Sequence, residues 1–382
     1  MMEERSHAVL SPSSSGMWLE CPPSVRLAEN LPAQDSVFAQ EGTEAHELCE
    51  YYLNKMMGKD VSDPREHLEY YNQEMEDCAT DYASYVYGLY LKEAEAGRNP
   101  TVMVEQLLDI SRFAPECFGT ADSIILSRGK LFITDFKYGV GVPVSAEGNT
   151  QMRLYALGAL DCFSNLYDTE EVIMTIFQPR LGNISSSTMK ASELFDWGEN
   201  YLRPRAQLAF NGEGEATSGP WCRFCKVKAS CRRRAEDNLA LAAYEFKQPE
   251  LLADEELRDV ITKSEELVQW ANDVKGYTLS RLLGGGNVEG LKLVEGRSVR
   301  RYTDEVAAAE AVKKAGYDPY AHTILGLTAM TSLLGKKQFN EILGPYITRP
   351  HGKPTVVLES DSRPAITVDD LSVFNDLKGE KV

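Results

Sequence analysis

Asp122, Asp135 and Lys137 lie in residues 119–139, GTADSIILSRGKLFITDFKYG. Two apolar stretches flank Ser-Arg-Gly-Lys, a tight-turn sequence, so the segment reads as a β-hairpin. With the turn centred on Arg128 and Gly129, cross-strand partners have numbers that sum to 257, as those of Asp122 and Asp135 do. The two carboxylates then face each other, with Cβ atoms about 4.5–5.5 Å apart on one face. Like charges so placed repel, and a divalent cation is the natural compensation. Lys137 projects from the same face. Toward the turn that face is apolar, with Ile124, Leu126, Leu131 and Ile133. The plainer alternative is a solvated hairpin rim with a loose Asp–Lys pair.

Other residues could join this group. Gln151 and Tyr155 are spaced i, i+4 at the start of the next helix and can point one way. Gly42 and His46 have the same spacing at an earlier helix, and Glu105 lies on the strand before the hairpin. Taken singly, each has a structural explanation: a core histidine, a capping and packing pair, a solvated glutamate. A second cluster is Cys222-x2-Cys225-x5-Cys231. A CxxC followed by a third cysteine has metal-ligand spacing, and Cys21 is the best candidate for a fourth thiolate. Four thiolates suit zinc and iron–sulfur equally, and a local zinc knuckle without Cys21 stays open. Cys49, Cys78, Cys117 and Cys162 read as ordinary buried thiols.

The elements that must position these residues can be read from hydrophobic period. Residues 8–24 are a turn-rich entry anchored by Trp18 and Leu19. Helices are expected over 41–58 and 72–95. Strands are expected over 101–110, 118–126, 131–138 and 171–178, with a helix over 149–163 between the last two. Residues 192–210 read as helix and 211–220 as a linker-like loop. Beyond 235 we expect a long polar helix over 254–283, a strand pair over 289–302, helices over 303–315 and 331–343, and an extended tail. No internal repeat is visible. The fold class is α/β, a mixed central sheet flanked by helices, with a C-terminal α+β accessory region. The expected division is 1–240 and 241–382.

The chain has 382 residues, and 43% hydrophobic content permits packed cores. A net charge of −18 taken whole argues against a polyanionic partner. Its distribution does not, because eleven acids against three bases fall within 41–80, whereas 221–234 holds six bases and no acid. Those bases are Arg223, Lys226, Lys228, Arg232, Arg233 and Arg234, either a DNA-facing run or charge balance for the thiolates. A polar start and no long apolar run lead us to expect a cytoplasmic protein without a membrane partner.

The chain resembles the RecB-like branch of the PD-(D/E)xK nuclease superfamily over about residues 10–235. The motifs stand here as Gly42-Thr-Glu-Ala-His46, Gly119-Thr-Ala-Asp122, Asp135-Phe-Lys137 and Gln151-x-x-x-Tyr155, in the family's order. The resemblance implies a restriction-endonuclease-like core. It implies His46, Asp122, Asp135 and the Phe136 carbonyl as ligands of Mg2+ or Mn2+, and Lys137 as the catalytic lysine. Gln151 and Tyr155 would support the site and touch DNA, and Glu105 fits with less distinctive surroundings. A subset of that family, including the AddB nuclease domain and CRISPR-adaptation nucleases, has one cysteine before the first motif and three after the last. There a [4Fe–4S] cluster joins the two ends of the domain, which tips Cys21, Cys222, Cys225 and Cys231 toward iron–sulfur over zinc.

The expectation is a metal-dependent deoxyribonuclease, an exonuclease in phage DNA recombination, replication or repair within a bacterial host cell. Its expected partners are DNA and phage single-strand annealing or replication proteins, and a homo-oligomer would suit it. The alternatives are a non-catalytic DNA-binding or scaffold protein with the same fold, and a metal-bound structural protein acting through the C-terminal third. For 241–382 the sequence shows no chemistry.

Overall fold

Apolar residues three and four apart build the first long helices. The computed structural model describes residues 8–31, 37–164, 168–240, 253–295, 302–320, 324–348 and 364. A helical turn (Pro12–Ser14), α1 (Ser15–Trp18) and α2 (Ser24–Ala28) lead to α3 (Val37–Met56) and α4 (Gln73–Glu95). α3 buries Ala45, Leu48, Cys49 and Leu53 along one stripe. α4 begins where the Asn72 side chain accepts a hydrogen bond from the Met75 N–H, satisfying a donor that the first turn leaves free.

The sheet follows. β1 (Thr101–Asp109), β2 (Phe118–Ser127) and β3 (Gly129–Phe136) form a meander. α5 (Thr150–Phe163) crosses over to β4 (Thr169–Gln178), which runs parallel to β3, and β5 (Asn183–Lys190) closes the order β1-β2-β3-β4-β5. The β2–β3 turn has the expected register, with Ser127 opposite Lys130 and Ser123 opposite Thr134. Gly129 takes φ +75°, which a Cβ would disfavour.

Alternation along the hairpin feeds two cores. Ile124, Leu126, Leu131 and Ile133 pack with α5, α6 and the entry residues Leu10, Trp18 and Leu19. Ile125, Phe132 and Phe136 pack with α3 and α4 on the other face. The result is a mixed sheet flanked by helices on both sides.

α6 (Ala191–Trp197) and α7 (Arg203–Asn211) are joined by a π-helical turn (Gly198–Leu202) in place of one continuous helix. A short 3-10 turn (Pro220–Phe224), α8 (Arg232–Leu239) and α9 (Asp254–Leu283) follow. β5 escapes the sequence reading because its segment, NISSSTMK, is rich in serine. It is an edge strand whose hydroxyls bond to neighbours, such as Ser186 to Thr175 at 2.9 Å.

The chain divides into two compact units, Met1–Ser280 and Arg281–Val382. The second carries α10 (Glu305–Lys314) and α11 (Leu327–Leu343), the latter interrupted at Gly335 (φ 72°). Among its described residues Ala309 alone is buried and none forms a strand. The strand pair expected over 289–302 is therefore absent from its described part; 296–301 and most of the expected tail lie outside the described residues. Its described part, EGLKLVE at 289–295, offers only three apolar side chains, too few to hold an isolated hairpin.

Candidate functional site

Strand register places three carboxylates in one row. The β1–β2 ladder pairs Val104 with Ser123 and Gln106 with Ala121, leaving Glu105 opposite Asp122. The β2–β3 ladder ends at Ser123 and Thr134, so Asp122 and Asp135 take the next step. Glu105 interrupts its ladder with φ 48°, a left-handed conformation that a non-glycine residue adopts at a cost. That conformation sits in the middle of a strand, where the ladder must compensate it.

α3 brings His46 to the row. Its Nδ1 lies 3.4 Å from Asp122 Oδ1 and 4.0 Å from Glu105 Oε1. The Phe136 ring meets the imidazole edge-on at 5.4 Å, and the Phe136 N–H donates to Asp122 Oδ2 at 2.6 Å. Tyr82 backs this from α4, donating to the Thr134 carbonyl at 3.1 Å. One ligand atom each from His46, Glu105 and Asp122 lies within 4.8 Å of the others.

Asp135 faces a different set. Lys137 Nζ is 3.0 Å from its Oδ2, and Gln151 Nε2 donates to its Oδ1 at 3.0 Å. Lys137 also donates to Gln151 Oε1 at 3.2 Å, and the Gln151 amide reaches the Tyr155 hydroxyl at 3.4 Å. Asp135 Oδ2 is buried without a hydrogen bond, despite its ion pair. The helical i, i+4 spacing thus delivers Gln151 and Tyr155 together, as the sequence implies. Gly119 is glycine because a Cβ there would approach Pro12 and the Tyr155 ring at 3.0 and 3.1 Å.

The electrostatics match the crowding. Burial lowers the His46 pKa, but the charge and hydrogen bond of Asp122 outweigh it and carry the group to about 9. Burial, reinforced by Asp122, raises Glu105 to about 7. Burial also raises Asp135, with Lys137 opposing and Asp122 assisting. Lys137 is raised, because Asp135 and Asp122 together outweigh burial, so it remains an ammonium. The donor set, one imidazole nitrogen and carboxylate oxygens, fits a hard divalent cation such as Mg2+ or Mn2+, and Asp135 Oδ2, which accepts no hydrogen bond, is a further available donor.

The resemblance pairs His46 with Asp122 and Asp135 as ligands. The structure instead groups His46, Asp122 and Glu105 most tightly, with Asp135 held by Lys137 and Gln151. Sequence reasoning missed Arg180, which has no distinctive neighbours in the chain. Its guanidinium lies 3.6 Å from Glu41 and 3.1 Å from Glu74 and stacks over Tyr138 at 4.6 Å, joining α3, α4 and the end of β3. It missed Gln178 as well, a buried amide at the end of β4.

Cys21, Cys222, Cys225 and Cys231 line one small pocket with Met17, Trp221 and Arg234. Burial raises the Cys222 and Cys225 thiols, and each also feels the other three cysteines or two of them. Cys49, Cys78 and Cys117 are buried in the core, but Cys162 is exposed, because α5 turns that position outward near its end. α1 contacts both the 3-10 turn that carries Cys222 and the start of α5. There Ser15 Oγ and Thr150 Oγ1 lie 2.7 Å apart, one residue from Gln151.

The basic run divides. Arg234 is fully buried, donating to Glu266 and Asp273 on α9 at 2.7 Å each. It therefore cannot contact DNA, contrary to the sequence expectation; α8's amphipathic period turns it inward. Lys228 pairs with Asp273 and Arg233 with Asp237. Lys226 donates to the Leu31 carbonyl, and Arg223 stacks on the exposed Phe224 ring at 5.4 Å. Arg232 is exposed.

No described helix is long and apolar enough to cross a membrane. Residues 7–364 match the model of a protein family described as "Protein of unknown function (DUF2800)".

Proposed function

We propose that this chain, which belongs to the DUF2800 family, is a metal-dependent deoxyribonuclease of the RecB-like kind. The observation that carries the reading is the row of Glu105, Asp122 and Asp135 across three neighbouring strands, with His46 beside Asp122 and Glu105 and Lys137 beside Asp135. Phosphodiester hydrolysis needs a nucleophile derived from water and relief of negative charge in the transition state. A bound Mg2+ or Mn2+ supplies both, by acidifying water and acting as a Lewis acid.

The chain's own residues divide the remaining work. His46, Asp122 and Glu105 would hold the ion, with Asp135 and the Phe136 carbonyl as additional oxygen donors. Phe136 orients two of them, through its ring on His46 and its N–H on Asp122. Lys137, kept protonated by Asp135 and Asp122, donates a hydrogen bond and positive charge toward a phosphate rather than removing a proton. Gln151 bridges Lys137 and Asp135 and fixes their separation. Tyr155 fixes Gln151.

The four cysteines fit a tetrathiolate group, since all line one pocket. We assign them a [4Fe–4S] cluster, with zinc as the alternative of the same ligand set. Its role is structural: Cys21 joined to the three distant cysteines restricts a very long loop. Protein purified without oxygen should contain iron and acid-labile sulfide, and lose melting temperature in Cys225→Ser. Stoichiometric zinc in colourless protein would reject the iron assignment.

The direct test is degradation of end-labelled DNA with Mg2+ or Mn2+ and none with chelator. Asp122→Ala or Lys137→Ala should lower the rate by about 10²–10³-fold or more, with folding retained by circular dichroism. Undiminished cleavage in both variants would remove this site from the chemistry, and DNA binding without cleavage in the wild type would leave the non-catalytic scaffold reading.

A further inference from the structure

Lys137 and Gln151 are joined through space, and the chain between them forms a loop over the same end of the sheet. Residues 139–143, Gly-Val-Gly-Val-Pro, are all exposed. Their backbone is nevertheless fastened from beneath. The buried Gln178 amide donates to the Gly139 carbonyl at 2.8 Å and to the Val142 carbonyl at 3.2 Å. Its oxygen accepts from the Val144 N–H at 3.1 Å, and Asn183 donates to the Val144 carbonyl at 2.9 Å. Two carbonyls of the loop are thus turned inward, whereas the N–H groups of residues 139–142 find no acceptor among the described residues. A short run of free backbone N–H groups is a phosphate-binding surface.

The glycines point the same way. Neither Gly139 nor Gly141 has a left-handed φ, and a Cβ at either would meet nothing within 4 Å. The fold itself does not require glycine there. Gly42 is alike: it lies inside α3, one turn before His46, with open space where its Cβ would be. Glycine in a helix interior is unfavourable relative to alanine. Glu41 and Tyr138, the neighbours of Gly42 and Gly139, share one partner in Arg180, which brings this part of α3 and the start of the loop close together.

We propose that the loop 139–143 and Gly42 form a backbone-deep track that takes the sugar–phosphate backbone of a DNA strand at close approach. This rests on the nuclease reading for the identity of the polymer. The N–H groups bond phosphate oxygens, the glycines allow the strand to approach without side chains intervening, and Val140 and Val142 cover the sugar edges.

The test uses binding, so it does not depend on turnover. Fluorescence anisotropy with a labelled oligonucleotide, in Ca2+ in place of Mg2+, reads affinity on the full chain. Gly42→Ala, Gly139→Ala and Gly141→Ala should each weaken binding about fivefold or more, a loss of about 1 kcal/mol, and Gly141→Phe should weaken it further. Melting temperature should stay level in the loop variants and rise in Gly42→Ala. Gly88→Ala, also open and helical but on α4, should raise melting temperature and keep full affinity. Unchanged affinity in all three site variants would overturn the track, as would a wild-type protein that binds no DNA. A wild type that binds DNA but never cleaves it would defeat the nuclease reading alone, leaving the track to be judged on its binding series.

Discussion

The two ends of the β2–β3 hairpin both hold buried carboxylates, and they treat them oppositely. At the turn end, Glu93 of α4 accepts from Arg98 Nη2 at 2.8 Å and from Ser127 Oγ at 2.7 Å. The Arg98 hydrogen bonds outweigh burial and hold its carboxyl below the usual range. Lys130 meets Glu171 nearby at 2.9 Å. At the open end, Glu105, Asp122 and Asp135 share His46 and Lys137 as their cationic partners, and Glu105 and Asp135 are pushed up. One end answers each acid with a donor. The other leaves negative charge in excess, which is the condition a divalent cation satisfies.

The same substitution at both ends gives the sharpest contrast. Glu105→Gln should weaken Mn2+ binding by about 10–100-fold, read by isothermal titration, while metal-free stability holds level or rises. Glu93→Gln should leave metal affinity unchanged and cost about 2 kcal/mol, since it removes an acceptor from a buried charged pair. In a unit of this size that is a fall in melting temperature of about 4–8 °C. Equal destabilisation at both ends would erase the distinction.

Acid and base titration separates the ends next. The protonated form of His46 is favoured by folding, a stabilisation complete below its ordinary 6.5 and lost as pH rises through about 9. Glu105 behaves alike between 4.5 and about 7. The metal-free open end should therefore lose stability as pH rises from about 5 to 9. Added Mn2+ must displace those protons, so its stabilisation should grow over the same window. Glu93 has the opposite sign: its contribution is present above 4.5 and lost as pH falls through its depressed value. Thermal melts of Glu93→Gln and His46→Gln across pH would assign each limb. A Mn2+ effect independent of pH would contradict the open-end assignment.

The smallest expected effect concerns the basic run. Arg223→Ala with Arg232→Ala should flatten the salt dependence of DNA binding by about two units of slope. Arg234→Met should leave that slope alone and lower stability instead, because Glu266 and Asp273 lose their buried partner.

Much of the open end was legible because a two-residue turn fixes register, and register fixes which side chains oppose. Asp122, Asp135 and the apolar face of Ile124 and Leu131 follow from that alone. His46, Gln151 and Tyr155 came from helical spacing joined to a resemblance. The grouping of Glu105 with His46 was not legible, since it depends on an interrupted ladder and a left-handed residue that no pattern marks. Arg180 and Gln178 act across distant segments and carry no local signal. Arg234 misled because a run of three arginines reads as surface, whereas two acids more than thirty residues later turn one of them inward. β5 was hidden by its serines, and the π turn by an otherwise continuous helical period.

The packing of the entry segment against α5 also bears on synthesis. Leu10, Trp18 and Leu19 are made long before β4, yet the core they fill includes Met174 and Ile176 of that strand. Cys21 must wait longer still, for Cys231. The entry segment is therefore an apolar passenger until β4 has been made, and the helix bearing Gln151 is packed by residues synthesised well before it. A chain stalled before α5 would display Trp18 without the helix that α1 packs against.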